Sequence, residues 1–165
     1  LSDRLVMRFG IRPPLITGLG LMTLGLLLFA RVPVDGNWVV DILPATLAAS
    51  LGAGIAFNPI LLAAMSGVRQ EQAGLASGVV NTAFMMGGAV GLAALAAIAD
   101  SRTQSLADSG EGALEALNGG YQLAFLVAAI FVVGSAVVAA TLPRSEPIGA
   151  HGEEPAGVPA TAEAE

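Results

Sequence analysis

Apolar residues collect in four blocks, 11–30, 38–64, 73–99 and 121–142, parted by short polar breaks that hold nearly all of the charge. A helix needs about 20 mostly apolar residues to cross a hydrocarbon layer roughly 30 Å thick, and each block reaches that length. The pattern predicts an all-α integral membrane protein with four transmembrane helices.

Within the blocks the small and polar positions carry the finer pattern. Lipid tails give helices no hydrophobic reason to associate, so membrane interfaces use Gly, Ala, Ser and Thr to bring backbones close, with a few polar side chains bonding across. At about 100° per residue, Gly74, Ser77, Gly78, Asn81, Met85 and Gly88 of the third block share one side. Leu75, Val79, Ala83, Met86 and Val90 take the other. The first set predicts a helix-packing face and the second a lipid face; Gly87 and Gly91 lie to one side of the packing stripe. The second block repeats the theme at Ser50, Gly54 and Asn58. It also holds Pro44 and Pro59, and the second proline predicts a bend near Asn58, because it lacks an amide donor and crowds the carbonyl four residues back. Broken membrane helices persist where protein or a water-filled cavity satisfies the freed groups. Asn58 and Asn81 are therefore candidates for a translocation path, the alternative being that each bonds a neighbouring helix.

Composition agrees with the pattern. Hydrophobic residues make up 55% of the chain and charged residues 12%, where soluble domains carry about 25% charged; the mean hydropathy is +0.75. The net charge of −6 comes from acids gathered after the third block and in the tail, the usual mark of solvated segments. There is no cysteine, so no disulfide or thiolate site. All seven basic residues are arginine and are scattered, which excludes the basic patch of a nucleic-acid binder. No phosphate loop, dinucleotide fingerprint, HExxH or serine–histidine–acid set occurs, and the single histidine, His151, stands in the tail. No enzyme, metal site or cofactor is expected.

Arginine placement predicts topology, since short cytoplasmic loops carry the basic excess. Arg4, Arg8, Arg12, Arg69 and Arg144 fall on one side and only Arg31 and Arg102 on the other, so both ends are expected in the cytoplasm. Residues 143–165, interrupted by Pro143, Pro147, Pro155 and Pro159, read as a disordered cytoplasmic tail. The chain begins without methionine or a signal-peptide n-region, and the expectation is the C-terminal part of something longer. Asp41, beside Trp38, is either a first-turn cap at the membrane interface or an intramembrane proton relay.

The opening Leu1-Ser2-Asp3-Arg4, then Arg8-Phe9-Gly10-Ile11-Arg12-Pro13, resembles the cytoplasmic loop motif of the major facilitator superfamily, G-x-L-x-D-R-x-G-R-[KR]. Five residues stand between Asp3-Arg4 and Gly10, where the first-half pattern has one. A second stretch strengthens the likeness: Gly52-Ala53-Gly54, Asn58-Pro59, Ala73-Gly74-Leu75-Ala76-Ser77-Gly78, Asn81-Thr82 and Gly87-Gly88-Ala89-Val90-Gly91. It is similar to the late helices of multidrug:proton antiporters, the fourteen-helix branch above all. The resemblance implies the last four helices of a secondary transporter that exchanges a drug-like molecule for protons by alternating access. The missing N-terminal half of the same transporter is then the chief partner, alongside lipid, small-molecule substrate and protons. It implies a gating-loop role for Asp3, Arg4, Gly10 and Arg12, with charge pairs made in one state and broken in the other; an ordinary topology-fixing pair is the alternative. An autonomous four-helix membrane protein, such as a channel or assembly subunit, is the competing class.

Overall fold

The computed structural model describes residues 12–141. Four helices account for most of them: α1 (Arg12–Phe29), α2 (Leu43–Met65), α3 (Ala73–Asp108) and α4 (Ala113–Thr141). A π-helical turn, Trp38–Ile42, leads into α2, and a 3-10 turn, Gln70–Gln72, leads into α3. All four are long and apolar enough to cross a membrane, and no strand occurs among the described residues. Asp3, Arg4, Gly10 and the predicted tail 143–165 lie outside the described residues.

Local chemistry sets where the helices stop. After α2, the Val68 amide donates to the Met65 carbonyl across a turn with Ser66 extended (φ −65°, ψ 132°) and Gly67 at φ +80°. That is a type II turn, whose third position favours glycine. α3 ends with Gly110 at φ +93°; the Glu111 amide donates to Leu106 and the Gly110 amide to Ala107, the paired bonds of a Schellman cap. At the start of the π-turn the Asn37 side chain accepts from the Val39 amide at 2.9 Å, while the Asp41 carboxylate accepts from the Asn37 amide at 2.7 Å. The capping role of Asp41 thus has its geometry.

Helix lengths depart from the apolar blocks at one end of the bundle. α3 continues to Asp108 and α4 starts at Ala113, so most of the segment between the third and fourth blocks is helical rather than a loop. Nothing between Asp100 and Asp108 breaks a helix, and Gln104 donates to Asp100 one turn away at 2.8 Å. Hydropathy marks where a helix crosses lipid; backbone hydrogen bonding lets it run on into the polar layer. Pro59 sits inside α2 with its side chain fully buried, and the helix continues to Met65.

α1 is the hub. It packs against α2 on one side and α4 on another, and α4 packs in turn against α3. α2 and α3, though consecutive, touch sparsely; Phe57 and Phe84 meet edge to face there, ring centroids 6.0 Å apart. The buried core is small: Leu15 and Leu19 of α1, Ala56 of α2 and Ala139 of α4, with Val132 and Ala136 against them. Large apolar side chains such as Leu75, Val90 and Phe131 stay exposed, as suits a protein whose solvent is lipid. Hydroxyls inside the helices are satisfied locally: Thr23, Thr46, Thr82, Thr103 and Ser135 each donate to the carbonyl four residues back, the back-bonding that lets Ser and Thr sit in apolar helices.

Candidate functional site

α1 and α2 meet along a close seam. A Cβ at Gly18 would lie 2.8 Å from both the Ala56 amide nitrogen and the Gly52 carbonyl oxygen. One at Gly25 would collide with the Ala49 amide, and one at Gly52 with the Met22 amide. Backbone therefore meets backbone along this seam, and dispersion between main chains replaces the missing side chains. Sequence reasoning placed the packing glycines elsewhere. The signal was present: Ala45, Ala49, Gly52 and Ala56 recur at intervals of four, three and four opposite Gly18 and Gly25.

At the end carrying the π-turn, α4 ties three elements together. Asn118 and Gln122 both donate to the Val32 carbonyl, at 3.1 and 2.9 Å, holding the segment that leaves α1. Phe125 stacks on Phe29 with centroids 5.0 Å apart. Gly120 lets α3 approach so closely that a Cβ would stand 2.5 Å from the Ala99 carbonyl oxygen and collide with the Thr103 hydroxyl. None of these residues was singled out by sequence reasoning; the amides lie outside the apolar blocks or at their rim, where polar residues look unremarkable.

Towards the other end α3 stands clear of its neighbours. From Ala73 to Val90 none of its residues is buried, and a Cβ at Gly74, Gly78, Gly87, Gly88 or Gly91 would meet nothing within 4 Å. Ser77 and Asn81 are exposed on the same helix, and Met85 is 68% exposed. The two predicted faces are both open, so the small-residue face has no helix against it among the described residues. Gly54 of α2 is open in the same way. Asn58 is half-buried and hydrogen-bonded or otherwise engaged. The Phe57–Phe84 pair brings its part of α2 to the level of α3 one turn beyond Asn81. Of the loop motif only Arg12 is described; it is half-buried at the start of α1, and its Nε is buried without a hydrogen-bond partner among the described residues.

Comparison with known proteins gives this arrangement its setting. Residues 1–92 match the family model of the Major Facilitator Superfamily. Among curated proteins, the chain is 35% identical over 118 residues to the cephamycin export protein CmcT of Amycolatopsis lactamdurans, covering 70% of this chain and 23% of that protein. It is 30% identical over 145 residues to the puromycin resistance protein pur8 of Streptomyces alboniger, covering 86% and 29%. The multidrug resistance protein Stp of Mycobacterium tuberculosis is 33% identical over 98 residues, covering 59% and 18%. The chain thus spans less than a third of the length of each of these relatives. No solved structure matches it. With a family model covering more than half of its residues and four membrane-length helices behind it, the chain belongs to the Major Facilitator Superfamily of transporters.

Proposed function

We propose that this chain forms the last four helices of a proton-coupled exporter of drugs or similar small molecules, working by alternating access. The observation that carries the reading is the open stripe of α3. A run of small and polar residues in lipid is favourable where another helix lies against it, and the rest of a longer transporter is the natural occupant. The export and resistance functions of the relatives point to a drug-like substrate.

In this reading Asn58 and Asn81 face the path between the two halves. Gly54, Gly74, Ser77, Gly78 and Gly88 receive helices of the missing half. Asp3, Arg4, Gly10 and Arg12 form the cytoplasmic gating loop, and the unpaired Nε of Arg12 takes its partner from that loop network. Both ends of the chain face the cytoplasm, and cysteines placed at Ser109 and Ser145 test this. In intact cells an impermeant thiol reagent labels the first and spares the second; the reverse overturns the orientation.

Transport is tested in proteoliposomes with an imposed pH gradient. The chain alone moves no more dye than empty vesicles, whereas the full-length exporter extrudes dye and stops when a protonophore collapses the gradient. Gradient-driven efflux by the chain alone overturns the two-half reading. Efflux by the whole protein that ignores the protonophore overturns proton coupling.

A further inference from the structure

The two arginines that break the basic bias, Arg31 and Arg102, come from elements 71 residues apart in sequence, yet they line one cleft of about 370 Å³. The cleft lies at the π-turn end, between the segment leaving α1, the polar extension of α3 and the start of α4. Its remaining walls include Leu27, Leu123 and Leu126, with Leu27 and Leu126 themselves partly open to the surroundings. Gln122 also lines it, but its amide is committed to the Val32 carbonyl. Neither guanidinium is paired with a carboxylate among the described residues.

We propose that this cleft binds the phosphate headgroup of an anionic phospholipid, with the acyl chains lying along the leucines. Guanidinium forks match phosphate oxygens in pairs, and two of them at one mouth are the cationic half of such a site. The apolar walls supply the other half. The depth is right for a headgroup. The chain's single tryptophan and single tyrosine, Trp38 and Tyr121, are at this same end and largely exposed, and such residues gather where the bilayer meets water.

Charge around the cleft favours a lipid over a free anion. This end also holds Asp35, Asp41, Asp100, Asp108, Glu111 and Glu115, so six acids against two arginines repel an anion arriving from water. None of the six lines the cleft. A lipid is held in the bilayer beside the cleft by its acyl chains, so its phosphate is present there at a local concentration that a free anion, repelled by the same charge, does not reach.

The test is lipid binding to the full chain in a neutral detergent, read by native mass spectrometry during titration with dioleoylphosphatidylglycerol, dioleoylphosphatidylcholine or inorganic phosphate. Phosphatidylglycerol should bind more tightly than phosphatidylcholine, and Arg31→Gln with Arg102→Gln should weaken it by about thirtyfold, near the effect of two arginines at a membrane surface. Arg31→Lys with Arg102→Lys should retain most of the preference, since the charges remain. Arg12→Gln with Arg69→Gln, which removes the same charge at the opposite end, should leave this site filled. A phosphatidylglycerol preference that survives the Gln pair overturns the proposal. So does an equal loss in the Arg12 and Arg69 pair, or displacement of the lipid by millimolar inorganic phosphate, which would assign the site to a free anion.

Discussion

Three glycines of the α1–α2 seam and the glycines on the first half of α3 look alike in sequence, small residues at helical spacing in apolar helices, but they live in opposite surroundings. Gly18, Gly25 and Gly52 are pressed against the backbone of a neighbouring helix, whereas Gly74, Gly78 and Gly88 have open space where a Cβ would go. Both arrangements obey one rule, that helices in lipid associate by close packing of small surfaces. The first seam is satisfied inside the chain. The second face has no helix against it among the described residues.

The largest expected effect breaks the satisfied seam. Gly52→Leu forces a side chain into the Met22 main chain, and because the obstacle is backbone the cost should reach about 3 kcal/mol or more, the top of the range for overpacking. Folded yield in detergent and the thermal unfolding midpoint read it. In the isolated chain Gly78→Leu should change stability by less than about 0.5 kcal/mol, as an open surface substitution does. In the full-length transporter the same change should lower the folded amount well below that of Val79→Leu. If Gly78→Leu disrupts the isolated chain as badly as Gly52→Leu, the contrast between the two regions is wrong.

An intermediate effect belongs to the π-turn end. Removing both donors with Asn118→Ala and Gln122→Ala leaves the Val32 carbonyl without either bond, at a cost of about 1–3 kcal/mol for an orphaned acceptor. Either single change should cost less than half of the pair, since the other amide still holds the carbonyl. A double-mutant cycle on thermal unfolding checks this non-additivity. The smallest effect on stability is expected at Asn81→Ala, within about 0.5 kcal/mol because the side chain is exposed. Drug efflux by the full-length protein should nevertheless fall. Unchanged efflux removes Asn81 from the path.

Some of this was readable from pattern. Four apolar blocks correspond to four helices, and of the two readings of Asp41 the cap has its geometry, in the bond from the Asn37 amide. The family likeness rested on glycine, asparagine and proline positions between Gly52 and Gly91, and the match over residues 1–92 covers them. The polar ends of α3 and α4 were hidden, because hydropathy registers the crossing of lipid and is silent about a helix that continues into water. Asn118 and Gln122 were hidden for another reason: their importance lies in one carbonyl, Val32, 86 and 90 residues away in sequence.

By itself the sequence determined that the chain is a multi-pass membrane protein with four helices long and apolar enough to cross, because the fitness of a helix for lipid is set chiefly by its own residues. Its small residues also determined that helices would pack closely. Which glycines meet a neighbour was decided only in three dimensions. Helical periodicity assigns a residue to a face, but the partner of that face depends on how α1 seats itself between α2 and α4 and leaves the first half of α3 uncovered. The same is true of Arg31 and Arg102. Read along the chain they are two exceptions to a charge bias, and only the approach of α1, α3 and α4 makes them one site.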